Sequence, residues 1–363
     1  MKGSFKIATV AGIGIFVHWT FFLLLVWIAY LHAAAGDNLA LALEGIGFIL
    51  ALFACVVLHE LGHSLTAQRF GVQTRDITLL PIGGVARLER IPENPLQEFW
   101  IAVAGPAVNV VIAVVLLAVT QTIGDVGRVE DMGIVGGAFL TKLMWVNVGL
   151  VIFNMIPAFP MDGGRVLRAV LATQMSRVKA THLAAAVGQA IAIFFAVSGV
   201  FSGQWMLVFI ALFVYQGAQA EAHAVEIRSL LKGLRVRDAM VTHFQTLSVD
   251  DPLEAAITAS SEGLQKDFPV TDNREITGIV LYRDVVRALA EKTPEARVAE
   301  IMRRDCVIMH DNEPLQRALE RMQSSGCGTL LVEHNDELVG ILSEEHLGQW
   351  LALHSSLLTH AGK

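Results

Sequence analysis

The chain has 363 residues, of which 54% are hydrophobic and 17% are charged, and its formal net charge is −7 at pH 7. Soluble domains carry about 25% charged residues, so this composition excludes an ordinary soluble protein, and the negative charge argues against a nucleic-acid partner. The apolar residues concentrate in 1–225 and much of the charge lies in 226–363. This division predicts a multi-pass α-helical membrane domain followed by a soluble tail. The three cysteines form no disulfide framework and are typical of a reducing compartment.

About six stretches are apolar and long enough to cross a bilayer as helices, which takes about 20 residues. They lie at about 15–35, 45–67, 100–122, 137–157, 183–201 and 204–222. We expect the first to be a retained helix, because no small-residue cleavage site follows it. Lys and Arg concentrate in alternate loops and at both ends of the set. By the positive-inside rule, this predicts a bacterial-type cytoplasmic membrane protein with both termini in the cytoplasm.

The second predicted span contains the motif His-Glu-Leu-Gly-His at residues 59–63. An ionisable side chain at a bilayer centre costs about 2.5–3.5 kcal/mol on insertion scales, so its presence there indicates a function. On a helix, His59 and His63 lie one turn apart on one face. Two imidazoles at that spacing can bind one zinc ion, with Glu60 beside it as general base. The alternative is a pair of interfacial histidines at a helix end.

The loop between the second and third spans contains residues 72–88, which have β-branched side chains, partial alternation and a Pro-Ile-Gly-Gly turn. This pattern predicts a β-hairpin associated with the membrane. An exposed strand edge can hold a locally extended substrate by strand addition. We expect residues 76–80 to provide that edge.

The fourth predicted span is followed by a short polar motif in which Asp162 precedes two glycines. A catalytic zinc site has three protein ligands and an open position for water. Asp162 is the best candidate for the third ligand, because it follows a span that runs in the same direction as the one carrying His59. The alternative is that Asp162 caps the following helix. The presence of His59, Glu60 and His63 favours the ligand.

Residues 236–285 of the tail are similar to residues 298–347 without a gap. Each copy contains an opening segment, a helix, two strands and a second helix. A single copy buries too little apolar surface to be stable alone, so the two are expected to pack together.

The motif at 59–63, the segment 154–164 and Gly105-Pro106 with Asn109 resemble the site-2 protease family of intramembrane zinc metalloproteases over about residues 10–222. Met161 stands where the family commonly has Leu, a swap that conserves volume.

The resemblance implies that His59, His63 and Asp162 bind one Zn²⁺ per chain and that Glu60 is the catalytic base. It also implies that Asn154 contacts the substrate or an oxyanion. The expected activity is peptide-bond hydrolysis in or near transmembrane segments of membrane protein substrates, as in regulated intramembrane proteolysis.

The tail resembles a tandem pair of CBS (cystathionine-β-synthase-type) domains, at 236–290 and 298–352, a module that often binds adenine nucleotides and dimerises. The first copy has the nucleotide-contacting Asp284 but Leu281 in place of a hydroxyl residue. The second has Ser343 but His346 in place of the aspartate. The resemblance therefore implies a homodimer with at most one adenine nucleotide per chain, bound weakly at Asp284, that regulates the protease.

Two other functions compete with proteolysis. A metal or ion transporter gated by the tail would use the motif at 59–63 for metal passage, but it gives no reason for Glu60. A proteolytically inactive scaffold would have lost a ligand or the base, and none is missing.

Cys55 lies one turn before His59, and we interpret it as packing rather than a fourth ligand, which would exclude water. We interpret His18 as part of an interfacial aromatic belt.

Overall fold

A computed structural model of the protein describes residues 3–36, 38–88, 92, 94–123, 139–262, 265–272, 275–291 and 296–361. The chain divides into two compact units, Met1–Val225 and Glu226–Lys363.

The helices that begin in the first unit are mostly long and apolar. In chain order they are α1 (Thr20–Ala34), α2 (Leu39–Arg69), α3 (Pro95–Ile123), α4 (Phe139–Asn154), α5 (Asp162–Leu171), α6 (Arg177–Ser202) and α7 (Trp205–Leu231). Of the described helices, α2, α3, α6 and α7 are long and apolar enough to cross a membrane. They confirm the predicted class, a helical membrane domain.

The number of six spans stays a prediction. The two remaining candidates correspond to α1 and α4, which are apolar but only 15 and 16 residues long. At 1.5 Å per residue such helices reach about 24 Å, less than the roughly 30 Å of a bilayer's hydrocarbon core. The expected start of the first span at residue 15 is wrong, because residues 13–18 form a strand. Residues 137 and 138 of the fourth predicted span lie outside the described residues.

A four-stranded sheet accompanies these helices, with the order β1 (Ser4–Val10), β2 (Ile13–His18), β3 (Thr74–Leu80) and β4 (Gly83–Leu88). Strands β3 and β4 pair antiparallel, which confirms the predicted hairpin. The first two strands also form a hairpin, whose turn residues Ala11 and Gly12 have positive φ values of 49° and 81°. Two consecutive positive φ angles are the geometry that a tight right-twisted hairpin requires.

The predicted substrate edge at residues 76–80 is wrong. Strand β3 pairs in parallel with β2 on one side and antiparallel with β4 on the other. Its amides are therefore already used inside the sheet. The error arose because the N-terminal strands, 60 residues away in sequence, could not be recognised from the local pattern of the hairpin. The edge strand of this hairpin is β4.

The second unit contains two similar three-stranded sheets. The first is formed by β5 (Leu247–Ser248), β6 (Phe268–Asp272) and β7 (Glu275–Val280), and the second by β8 (Ile308–His310), β9 (Thr329–His334) and β10 (Glu337–Ser343). Helices cover them, namely α8 (Leu253–Glu262), α9 (Tyr282–Glu291), α10 (Val298–Ile301), α11 (Leu315–Ser325) and α12 (Glu344–Ala361). In each sheet the first two strands are parallel and the last two antiparallel.

The two copies exchange their opening segments. Val241 of the first copy bridges to Ile341 of the second, and the corresponding residues Arg303 and Ile279 form the reciprocal bridge. This exchange agrees with the expectation that neither copy packs alone, since the opening segment of each copy pairs with the last strand of the other copy's sheet.

Candidate active site

The two motif histidines lie on the buried face of α2. His59 and His63 are 7% and 4% exposed. Their Nε2 atoms are 3.1 Å apart, which follows from the one-turn spacing on a helix. The rings thus present two nitrogens to the same point.

Asp162 brings a carboxylate to that point from the first residue of α5. Its Oδ2 lies 3.2 Å from His59 Nε2 and 3.1 Å from His63 Nε2. The structure therefore brings the three predicted ligands together, although Asp162 follows His63 by 99 residues and His59 by 103 residues in the sequence. The other oxygen of Asp162 faces Arg165, whose Nη1 is 3.7 Å away.

A chain of buried amides orients the His59 ring. The Leu143 carbonyl can only accept, so Asn147 turns its Nδ2 toward it, at 2.8 Å, and its Oδ1 toward Asn109 Nδ2, at 3.1 Å. Asn109 Oδ1 is then left as an acceptor, 2.8 Å from His59 Nδ1. The proton of the ring therefore lies on Nδ1, and Nε2 keeps its lone pair.

His63 is held in the same way by backbone. Its Nδ1 donates to the carbonyl oxygen of Ile101 over 2.6 Å. Since an acceptor faces Nδ1 of both rings, each neutral imidazole carries its proton on Nδ1, and the two Nε2 lone pairs converge with a carboxylate oxygen. Oxygen acceptors behind ligating histidines are the usual outer support of a metal site.

These residues fit a zinc ion. With bonds of 2.0–2.2 Å, neighbouring ligand atoms of a tetrahedral zinc lie about 3.3 Å apart, close to the 3.1–3.2 Å between the three atoms here. With both imidazoles neutral, three electron-rich atoms face one another in a buried site, an arrangement that a bound cation stabilises. Among the described residues, the metal cluster does not include Cys55. Cys55 is buried, and its interpretation as a packing residue stays a prediction.

Gly105 of α3 leaves room for the cluster. A Cβ added there would lie 2.2 Å from His63 Nε2 and 2.7 Å from His59 Nε2. Any side chain at this position would therefore intrude on the nitrogens that face the metal.

Glu60 lies beside the histidines on α2 and next to the edge strand. A Cβ added to Gly84 of β4 would lie 2.8 Å from Glu60 Cγ and 3.4 Å from its Oε1. The carboxylate thus sits between the metal cluster and a strand whose outer edge is unpaired within the described sheet.

The structure places Asn154 at the last residue of α4, partly exposed. Within the described part of the chain, its side chain makes none of the hydrogen bonds that hold the cluster, so its role stays a prediction.

Asn109 and Asn147 are the polar residues that support His59. The signal that could have revealed their role is an amide side chain inside an apolar span, where an unpaired polar group is costly. His18 ends β2 and bonds to Thr20, 2.7 Å away.

A buried cluster of ion pairs holds helix α5, which begins at Asp162, against the neighbouring helices. Arg168 is 1% exposed and donates from Nε to Glu98 Oε1 over 2.8 Å. It also pairs with Glu221 of α7, and Arg177 Nη2 lies 2.9 Å from Glu98 Oε2. Four helices, α3, α5, α6 and α7, meet at these charges. In the sequence, Arg168 and Arg177 belong to the Lys and Arg distribution that predicts the topology, and no local pattern indicates this cluster.

In the tail, Asp284 is already engaged by an arginine. Arg303 Nε lies 2.6 Å from Asp284 Oδ2, and its Nη2 lies 3.0 Å from Oδ1. This bidentate contact lowers the pKa of the Asp284 carboxyl. In the second copy, Ser343 Oγ and His346 Nδ1 bond to each other over 2.8 Å.

Comparison with known proteins agrees with this picture. The model of peptidase family M50 matches residues 47–132 and 122–196, and the CBS domain model matches 236–291 and 298–352. The zinc metalloprotease MJ0392 of Methanocaldococcus jannaschii is 34% identical over 344 residues, which cover 95% of each chain.

Two further proteins are similar to part of the chain. A solved structure of a site-2 protease from Methanocaldococcus jannaschii is 40% identical, covers 60% of this chain and 95% of that one, and superposes with a TM-score of 0.46. Stage IV sporulation protein FB of Bacillus subtilis is 28% identical over 138 residues, which are 37% of this chain and 44% of that protein.

Two histidines on one helix and an aspartate, in a unit of long apolar helices, are the arrangement expected of a membrane-type zinc metalloprotease. The chain belongs to peptidase family M50, the site-2 protease family, and its tail is a tandem CBS pair. The predicted resemblance and enzyme class are confirmed.

Proposed function

We propose that the protein hydrolyses peptide bonds in or near transmembrane segments of membrane proteins, with His59, His63 and Asp162 as zinc ligands and Glu60 as general base. The observation that carries this proposal is the convergence of two imidazole nitrogens and a carboxylate oxygen beside Glu60. Zinc, when bound, supplies a Lewis acid that polarises the scissile carbonyl and lowers the pKa of water to about 7.

The protein's own groups move the proton and hold the substrate. Glu60 takes the proton of the attacking water and later gives it to the leaving amine. A helical substrate hides its peptide bonds in its own hydrogen bonds, so the cleaved segment must be extended. Strand β4 supports this, because strand addition at its free edge brings the substrate backbone next to Glu60.

The decisive experiment compares Glu60→Gln with the wild type in purified, zinc-loaded protein. We expect unchanged zinc content and a loss of cleavage of about 10²–10⁴-fold, because the variant removes a base and leaves the ligands. Glu44→Gln, at the exposed start of the same helix, is the matched control and should keep full activity. Cleavage by the Glu60 variant at the wild-type rate would overturn the assignment.

The substrates can be found with the same variant. An uncleaved substrate should co-purify with the Glu60→Gln chain. It should no longer co-purify when a second substitution prevents backbone pairing along the outer edge of β4. Rapid zinc flux through reconstituted protein, with no cleavage of any retained partner, would instead favour a transporter.

We propose that residues 1–225 form the protease domain, with both termini in the cytoplasm. The distribution of Lys and Arg supports this orientation. Cysteines placed singly at positions 38 and 235 test it in intact cells. An impermeant reagent is expected to label position 38 and to spare position 235, and the reverse pattern would contradict the topology.

We propose that residues 236–290 and 298–352 form a regulatory CBS pair that dimerises the enzyme and takes at most one adenine nucleotide at Asp284. Because Arg303 holds both carboxylate oxygens, a ribose hydroxyl must displace it. Calorimetry on the whole protein should therefore show weak AMP or ATP binding that Asp284→Ala abolishes. Binding of equal strength in that variant would exclude the site.

A further inference from the structure

A second cluster of two histidines and an aspartate lies in the tail, apart from the active site. His310 is the last residue of β8, Asp311 follows it, and His334 ends the neighbouring parallel strand β9. The Asp311 amide donates to the Glu333 carbonyl over 3.1 Å. The sheet therefore holds the three side chains at the ends of adjacent strands, a rigid base on which they converge.

The ligand atoms meet at one carboxylate oxygen. Asp311 Oδ1 lies 2.8 Å from His310 Nδ1 and 3.0 Å from His334 Nδ1. The donor set, two imidazoles and a carboxylate, is that of the active-site cluster, and the two nitrogen–oxygen distances are within a few tenths of an ångström of the 3.1–3.2 Å found there. Both are near the roughly 3.3 Å expected around a tetrahedral zinc.

The backbone amide of Asn312 donates toward His310 Nδ1 over 3.3 Å. A neutral His310 with its proton on Nε2 accepts this hydrogen bond and has its Nδ1 lone pair close to Asp311 Oδ1, which lies 2.8 Å away. An imidazole nitrogen and a carboxylate oxygen at this distance can be bridged by a proton or by a metal cation.

The nearby arginine leaves the Asp311 carboxylate open to a cation. Arg237 does not occupy the cluster, because its Nη1 donates to the Asn312 side chain instead.

We propose that His310, Asp311 and His334 form a second divalent transition-metal site, which binds Zn²⁺ in the second CBS unit. The two histidine side chains are 43% and 46% exposed, so water completes the coordination and the ion exchanges more readily than the buried active-site zinc. The ion joins the end of β8 to the end of β9. This adds a second zinc to the single one expected from the sequence.

The test measures zinc in a whole chain whose active-site ligands have been removed. The double variant His59→Ala, His63→Ala is equilibrated with micromolar Zn²⁺ in detergent, and bound metal is counted after dialysis. We expect about one zinc ion per chain. Adding His334→Ala should reduce the bound zinc to near zero, whereas His243→Ala, another exposed histidine of the tail, should leave it unchanged.

The absence of zinc from the double variant, or zinc content unaffected by His334→Ala, would overturn the second site. If the double variant does not fold, the same comparison in the Glu60→Gln chain should show about two zinc ions falling to about one. Cobalt provides a second readout, because its visible absorption in this site should disappear with His334→Ala. Proteolysis rests on the first cluster alone, so either proposal can fail without the other.

Discussion

The carbonyl of Leu143 determines which nitrogen of His59 carries its proton. The connection passes through Asn147 and Asn109, each of which must donate toward α4 and accept on the other side. A backbone oxygen on one apolar helix therefore fixes a metal-facing lone pair on another. The relay makes the proposed zinc site depend on residues that are not among its proposed ligands.

Asn109→Leu should weaken zinc binding by about 10–100-fold, because the His59 ring loses the acceptor that fixes its tautomer. Asn109→Asp keeps an acceptor at that position and should restore most of the affinity. Competition with a metal chelator measures both. The control is Asn38→Ala, a change at the exposed N-cap of α2 that should leave zinc affinity unchanged. If Asn109→Leu binds zinc as tightly as the wild type, the amide relay has no part in metal binding.

Gly105→Ala should lower zinc content about tenfold or more, since the new methyl group would occupy the space next to both Nε2 atoms. Gly149→Ala is the matched change, because a Cβ on that residue of α4 meets nothing within 4 Å. Zinc per chain in the two variants, measured side by side, distinguishes loss of space from a general helix effect. Equal zinc contents would show that the backbone moves to accept the methyl group.

Proline substitutions made singly at Val85, Ala86 and Arg87 of β4 should differ in their effect on cleavage, because the amides of successive strand residues point to opposite sides of the strand. Where the amide points away from β3, proline removes a hydrogen bond to substrate and leaves the sheet intact. Where it points toward β3, the hairpin itself is weakened and the protein becomes less stable. Proline at Ile7, on the opposite edge strand β1, should leave cleavage unchanged. Full activity of all three β4 variants would exclude strand addition.

Arg168→Met should destabilise the membrane unit by about 3–5 kcal/mol, because it leaves the buried Glu98 without its main partner. Zinc affinity should fall as well, since α5 carries Asp162 and loses an anchor at its other end. Thermal unfolding in detergent and zinc content provide the two measurements. Arg69→Met, at the exposed end of α2, is the control. A variant as stable as the wild type would show that Glu98 is satisfied by Arg177 alone.

The sequence by itself determined the chemistry of the protein. The ligand types are legible in two short motifs, because His59 and His63 must share a helix face and because charged groups in apolar spans are costly. The β3–β4 hairpin and the internal repeat of the tail were also predictable, since alternation and self-similarity are local properties of a chain.

Only the tertiary structure decided which groups support that chemistry. The pairing of β3 with β2, the approach of β4 to Glu60, and the contact between Asn109 and His59 all join segments distant in sequence. The hydrophobic periodicity of the sequence predicts individual helices and strands but not contacts between distant segments. The meeting of His310 and His334 has the same origin, because it depends on which strands become neighbours in a sheet. Local patterns specify the elements, whereas burial and hydrogen bonding between elements decide which residues face one another.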